Sequence, residues 1–173
     1  VEQLSAKQVL DRVNKINPKL ICFVVYGQNV NAGAVSMGGA VYLSEHLKEH
    51  GIKNPISYIG SYIQAVPLKA LNDEPSIDFG FTNEGVYALH NVLSQENIDI
   101  KNLSNIRGVV WRENGKVKIN PSEKIVPKDR MDIDLPGYAW DLLPFKEKPL
   151  DLYRAPMWHA EYNNDKRSPY AAI

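Results

Sequence analysis

The chain has 173 residues, of which 44% are hydrophobic, which is enough for a packed domain and too many for a disordered chain. Its 20 basic and 20 acidic side chains give a formal net charge of +0, so charge gives no reason to expect a nucleic acid or an anionic membrane as partner. No apolar run has the length of a membrane span, and the first residues lack the pattern of a signal peptide. The single cysteine, Cys22, excludes an internal disulfide and a multi-thiolate metal site, and these features fit a cytoplasmic protein.

Helix and strand patterns alternate along the first half of the chain. Ser5 and Gln8 form a capping-box pattern that predicts the start of a helix, and Asn17-Pro18 predicts its end because proline disfavours helix in the residue before it. Residues 20–26 are a short apolar run typical of a strand that is buried on both faces. We further predict a helix over residues 34–50, strands over 56–59 and 77–81, and helices around 66–71 and 86–95.

The pattern changes after about residue 97. Residues 106–112 and 116–119 alternate in polarity around Asn114-Gly115, which predicts a hairpin because both turn residues tolerate positive φ. From Pro121 onward the sequence predicts an extended segment. The predicted fold class is α/β, a Rossmann-like (flavodoxin-like) parallel sheet with helices on both faces, followed by a β-hairpin and an extended C-terminal linker.

Glycines with small polar neighbours follow each of the three predicted parallel strands. Ligands bind beyond the carboxyl ends of such strands, where glycine lets a ligand approach the backbone and Ser, Thr and Asn supply hydrogen bonds. For any single loop a tight turn is the better explanation of the glycine, but three loops at the same edge favour a binding cleft. None of them matches a dinucleotide or phosphate-loop pattern. The candidate residues are Tyr26, Gly27, Gln28, Asn29, Gly60, Ser61, Tyr62, Thr82, Asn83, Glu84 and Gly85.

Side chains that could perform catalysis are scarce. His46 and His50 have helical spacing but lie among charged residues, so a solvated helix end explains them better than a metal site. His90 is expected on a partly exposed helix face, and Cys22 is expected to be a small core residue. The sequence therefore assigns no catalytic residue and no metal ligand within this chain.

Aromatic residues are unusually dense in the C-terminal segment. They occur in LPGYAWDLLP at residues 135–144 and in YRAPMWH at residues 153–159, which includes His159. Aromatic side chains at this density require burial. They either pack back on the sheet domain or dock against a following domain, and the sequence leaves both alternatives open.

These C-terminal motifs resemble cobalamin-dependent radical S-adenosylmethionine (SAM) proteins, the class that contains the anaerobic magnesium-protoporphyrin ester cyclase and many methyltransferases. The resemblance includes the hairpin IRGVVWRENG at residues 106–115, the two aromatic motifs, and RSPYAAI at residues 167–173. In that family, the cluster motif CxxxCxxC begins a few residues later. The family's paired glycines correspond here to Ile59-Gly60, and its Gly-Glu-Gly corresponds to Asn83-Glu84-Gly85.

The resemblance implies a division of the chain. Residues 1–104 would be part of a Rossmann-like cobalamin-binding domain, and residues 105–173 would be a hairpin and linker leading to a radical SAM domain. Relative to family members the chain is expected to be short at both ends, without the first strands and without the cluster cysteines. The eleven candidate residues would then line cobalamin, while the whole protein would also use a [4Fe-4S] cluster and S-adenosylmethionine.

Two functions follow as alternatives. In the first, the chain binds cobalamin and presents it to a radical SAM domain in the same or an adjacent chain, for methyl transfer or a related radical reaction, and is not catalytic alone. In the second, it is a non-catalytic α/β interaction module whose aromatic tail docks a partner without a cofactor. A small nucleotide-binding enzyme ranks last because a phosphate motif is missing. Neither nucleic acid nor a membrane is expected as a partner.

Overall fold

The computed structural model describes residues 4–25, 30–137, 139 and 142, without the side chains of residues 30–36. The chain divides into two compact units, one of which is Ser5–Asp129. Its helices are α1 (Ala6–Ile16), α2 (Val30–Glu49), α3 (Ser61–Ala65), α4 (Pro67–Asp73) and α5 (Val86–Leu93), with a 3₁₀ helix at Ile100–Asn105. Its strands are β1 (Ile21–Val25), β2 (Ile56–Gly60), β3 (Phe79–Phe81), β4 (Val109–Glu113) and β5 (Lys116–Ile119). In the other unit the structure describes one α-helix, α6 (Met131–Asp134).

The five strands form one mixed sheet in the order β1-β2-β3-β4-β5. β1, β2 and β3 are parallel, whereas β4 pairs antiparallel with β3 and β5 pairs antiparallel with β4. The predicted hairpin is therefore part of this sheet, and its turn residues Asn114 and Gly115 both have positive φ, 50° and 76°. The α/β fold class predicted from the sequence is confirmed.

Helices cover both faces of the sheet because successive strand residues alternate between the faces. On β2, Tyr58 contributes to a hydrophobic cluster packed with α2, α3 and α4, whereas Ile59 contributes to a second cluster packed with α5. Phe79 and Phe81 lie in the second cluster with ring centroids 5.6 Å apart, and both are fully buried. The continuous apolar character of these strands reflects burial on two sides.

The helix boundaries follow local signals. At the start of α1 the backbone amide of Gln8 donates to the Ser5 hydroxyl, and the amide of Ser5 donates to the Gln8 side chain at 2.9 Å, as the capping box predicts. α2 begins four residues before its predicted start, and α3 begins at Ser61 without an intervening loop. Among the helices that the structure describes, none has the length and apolar character needed to cross a membrane.

Candidate functional site

The carboxyl ends of the three parallel strands lie side by side. In the sheet register Val25 of β1 pairs with Gly60 of β2, and Ile59 pairs with Phe81 of β3. The segments that follow β2 and β3 therefore begin at one edge, as expected for a parallel sheet. The segment that follows β1 contains the candidates Tyr26, Gly27, Gln28 and Asn29, which lie outside the described residues.

Gly60 is required by the packing of the backbone itself. Its φ is 138° and its ψ is −173°, a combination accessible essentially to glycine alone. A Cβ atom at this position would lie 2.0 Å from the carbonyl oxygen of Val25. The neighbouring Ser61 is exposed, and Tyr62 is half-buried against the first hydrophobic cluster. At this position the hydroxyl of Ser61 is the polar group open to a ligand.

The loop of residues 82–85 is tied to a later part of the chain. The Nδ2 of Asn83 donates to the carbonyl oxygen of Glu123 at 2.8 Å, and the Oε2 of Glu84 accepts from the amide of Val126 at 3.0 Å. Val126 is buried, so its amide needs such a partner. We call residues 123–126 the strap. The side chains of Asn83 and Glu84 therefore already have partners within the chain.

The remaining candidates of this loop also have structural roles. The amide of Thr82 donates to the carbonyl oxygen of Gly108 at 2.9 Å, which continues the pairing of β3 with β4. Gly85 has a φ of 79° and caps the start of α5, and a Cβ atom there would lie 2.1 Å from the Cδ1 of Ile59. Contacts within the chain thus explain the two described candidate glycines, Gly60 and Gly85, without a ligand.

A hydrogen-bonded network is buried beneath α2. The Oγ of Ser44 lies 2.7 Å from the hydroxyl of Tyr58 and 2.8 Å from the Oγ of Ser76. All three side chains are buried. Burial raises the pKa of Tyr58 to about 12, against the opposing hydrogen bond from Ser44, and the negative charges of Glu74 and Glu45 raise it further. The network holds a neutral phenol between the sheet and α2.

The pH dependence of stability tests this network. A tyrosine of the unfolded chain ionises near pH 10, whereas folded Tyr58 keeps its proton to about pH 12. The resulting stabilisation is complete below pH 10 and is lost as the pH rises through 12, so we expect a loss of roughly 2 kcal/mol across that window. Urea unfolding at several pH values, with wild type and Tyr58→Phe compared, measures it. A difference between the two proteins that is constant from pH 9 to 12 would contradict the predicted shift.

The opposite edge of the sheet carries a cluster of charges that the sequence analysis did not identify. The Nζ of Lys48 lies 2.8 Å from the Oδ2 of Asp78, which also accepts from the amide of Ile56 at 2.8 Å. Arg112 donates to the carbonyl oxygens of three residues, Leu71, Glu74 and Ile77. The sequence contained one signal for this cluster. Arg112 lies two residues after the buried Val110 on β4, so both side chains belong to the same face of the sheet.

An open depression of about 540 Å³ lies at this second edge. Basic and acidic side chains alternate around it, and the Arg112 guanidinium is engaged by the backbone. Desolvation by burial lowers the pKa of Arg112, while the charge of Asp78 opposes this shift. The arrangement stabilises the end of α4, and its balanced charges do not select a ligand of one sign.

The three described histidines, His46, His50 and His90, and the single cysteine form no cluster suited to metal binding. His46 is half-buried and His50 is exposed at the end of α2, with ring centroids 4.0 Å apart, and His90 is exposed on α5. Burial raises the pKa of the half-buried Cys22 thiol, although the side chain of Ser57 lowers it in part, so thiolate formation is disfavoured. Among the residues that the structure describes, no group of three or more His, Cys, Asp or Glu side chains could hold a metal ion.

At the carboxyl edge, the position beside Gly60 fits a bulky ligand better than the loop of residues 82–85 does. Beside Gly60 the hydroxyl of Ser61 is exposed, and the β1 residue Val24, 68% exposed, leaves apolar surface uncovered nearby. At the loop of residues 82–85, a ligand would have to replace the hydrogen bonds to the strap. His159 and most of the aromatic tail lie outside the described residues.

In comparisons with known proteins, no family model matches the chain, and no curated protein matches it with significance.

Proposed function

We propose that this chain is the cobalamin-binding portion of a radical SAM enzyme, located in the cytoplasm. The proposal rests on the resemblance of residues 106–115 and 135–173 to that class. The observation that supports it best is the arrangement of the carboxyl edge, where consecutive parallel strands end side by side next to an exposed Ser61.

The candidate residues divide into those that are free to contact a ligand and those that already have partners within the chain. Ser61 and Tyr62 would contact the corrinoid directly, together with residues 26–29. Thr82, Asn83, Glu84 and Gly85 would contribute mainly by shaping the edge, since their backbone or side chains already have partners. Bound cobalamin would supply a carrier for a methyl group, and the [4Fe-4S] cluster and S-adenosylmethionine would belong to the radical SAM domain. This chain would bind and present the cofactor without catalysing a reaction alone.

Reconstitution with hydroxocobalamin tests the proposal. The purified chain is incubated with the corrinoid and separated from free ligand by gel filtration, and corrinoid absorbance is expected to elute with the protein. Ser61→Trp places a large ring at the proposed contact, so we expect binding to weaken by roughly tenfold or more. Ser94→Trp is the matched control, because Ser94 is also exposed but caps the far end of α5.

Two results would overturn the proposal. One is the absence of corrinoid from the protein fractions of the folded wild type. The other is binding that Ser61→Trp leaves unchanged, since the ligand would then lie elsewhere.

The alternative function is an interaction module without a cofactor. The hydrogen bonds that Asn83 donates to the strap and that Glu84 accepts from it favour this alternative, because they assign a structural role to half of a candidate loop. In that case the aromatic tail would dock a partner protein, and the chain would retain no corrinoid.

A further inference from the structure

A cleft of about 410 Å³ separates α2 from the α3–α4 segment, away from the loop of residues 82–85. The α2 wall carries Gly38, Val41, Tyr42 and Glu45, which share one helix face because they are spaced by three, four and seven residues. Met37, which is buried, also lines the cleft. This wall thus combines apolar atoms with an aromatic ring and a carboxylate.

The opposite wall repeats this combination. It carries Tyr62 from the first turn of α3 and Glu74, the residue that caps the end of α4. Two tyrosine rings and two carboxylates therefore surround one space. Tyr42 is 61% exposed, and its ring stacks with that of His46 at a centroid distance of 6.3 Å.

Among the described residues, neither of these two carboxylates, Glu45 and Glu74, has an ion-pair partner. The nearby Lys69 pairs with Asp73 instead. Desolvation raises the pKa of Glu74, and the negative charges of Glu45 and Asp73 raise it further, with Lys69 opposing. The charges of both glutamates also raise the pKa of the buried Tyr58 beneath α2. The negative charges of Glu45 and Glu74 thus act together in the region around this cleft.

Carboxylates, tyrosine rings and a thioether together favour one class of ligand. Tyrosine rings attract cations through their quadrupole, the carboxylates attract positive charge, and apolar walls favour an alkyl body. Calcium or magnesium would require more oxygen ligands than two glutamates provide. We propose that this cleft binds a small organic cation, an alkylammonium group held by Glu45 and Glu74 with its alkyl chain against the tyrosine rings. The proposal does not require corrinoid binding, although the cleft shares Tyr62 with the proposed corrinoid contact.

Two adjacent glycines allow a matched test. A Cβ atom built at Gly38 or at Gly39 meets no other atom within 4 Å, and both residues are exposed in α2. Gly38 lines the cleft and Gly39 is not among its lining residues. Leucine at either position replaces glycine with a better helix former, so both variants should fold. Gly38→Leu should fill the cleft, whereas Gly39→Leu should leave it open.

Titration with n-hexylammonium chloride, followed by NMR chemical shifts, measures binding to the whole chain. We expect a dissociation constant on the order of 1 mM for the wild type and Gly39→Leu, and weakening of roughly tenfold or more in Gly38→Leu. Glu74→Gln and Glu45→Gln should each weaken binding several-fold. The neutral probe 1-hexanol, at matched ionic strength, should bind much more weakly.

Three results would overturn the proposal. The first is no saturable binding of n-hexylammonium below about 20 mM. The second is equal binding of 1-hexanol, which would make the cleft merely apolar. The third is equal affinity in Gly38→Leu and Gly39→Leu, which would place the bound cation elsewhere.

Discussion

Replacing Gly60 with alanine is expected to lower the free energy of unfolding by about 3–5 kcal/mol. The φ of 138° disfavours any side chain, and the new Cβ atom would lie 2.0 Å from the Val25 carbonyl oxygen and 2.6 Å from its carbonyl carbon. Backbone atoms of a paired strand cannot move aside as a side chain can, so β1 and β2 must separate locally. Because small domains are stable by only about 5–15 kcal/mol, urea unfolding should show a much lower midpoint or no folded baseline.

Gly39→Ala is the control for the Gly60 substitution. Gly39 lies in the interior of α2 with open space around its Cα atom, so alanine there should stabilise the protein by up to about 1 kcal/mol. Equal unfolding midpoints for Gly60→Ala and wild type would show that the close approach of β1 and β2 is incorrect.

Replacing Arg112 with methionine is expected to destabilise the protein by about 3 kcal/mol. Methionine preserves much of the side-chain volume but removes the guanidinium donors to the carbonyl oxygens of Leu71, Glu74 and Ile77. The Glu74 oxygen keeps a second donor, the amide of Ile77 at 3.2 Å. Those acceptors lie where α4 ends and the chain turns into β3, so they would lose their charged partner without gaining another. Urea unfolding followed by far-ultraviolet circular dichroism measures the change.

Two further arginine variants separate charge from geometry. Arg112→Lys keeps the charge but lacks the planar guanidinium fork, so its stability should be intermediate. Arg107→Met serves as the control, since exposed Arg107 donates to a single described acceptor, the carbonyl oxygen of Ser122, and should cost less than about 1 kcal/mol. If Arg112→Met and Arg107→Met lost the same free energy of unfolding, the hydrogen bonds of Arg112 to three carbonyl oxygens would not contribute more to stability than the single bond of Arg107.

Much of the fold could be predicted because its signals are local. The capping box at Ser5, the apolar run over residues 20–26 and the Asn114-Gly115 turn each act within a few residues. Over the described residues they form the predicted helix start, strand and hairpin turn. The predicted burial of that strand on both faces is wrong, because β1 lies at the edge of the described sheet and its Val24 is 68% exposed. The pairing of the hairpin with β3 could not be predicted in the same way. It depends on contacts between Phe81 and Val109, which are distant in sequence.

The candidate site was less predictable because a glycine pattern has two explanations. At Gly60 the backbone of Val25 excludes a Cβ atom, and at Gly85 the φ of 79° favours glycine, which no inspection of neighbouring residues could establish. The partners of Asn83 and Glu84 lie about 40 residues later in the chain, so their structural role was equally hidden. The cleft between Tyr42 and Tyr62 likewise joins residues whose proximity depends on the packing of α2 against α3.

The attachment of the strap has a thermodynamic consequence for any ligand of the loop at residues 82–85. A ligand that used the side chains of Asn83 and Glu84 would compete with Glu123 and Val126 for the same hydrogen bonds. Competition of this kind is reciprocal, so releasing the strap would raise the ligand's affinity by the same factor by which the ligand loosens the strap. The two hydrogen bonds to the strap thus set a free-energy cost that any such ligand would have to offset before it could bind.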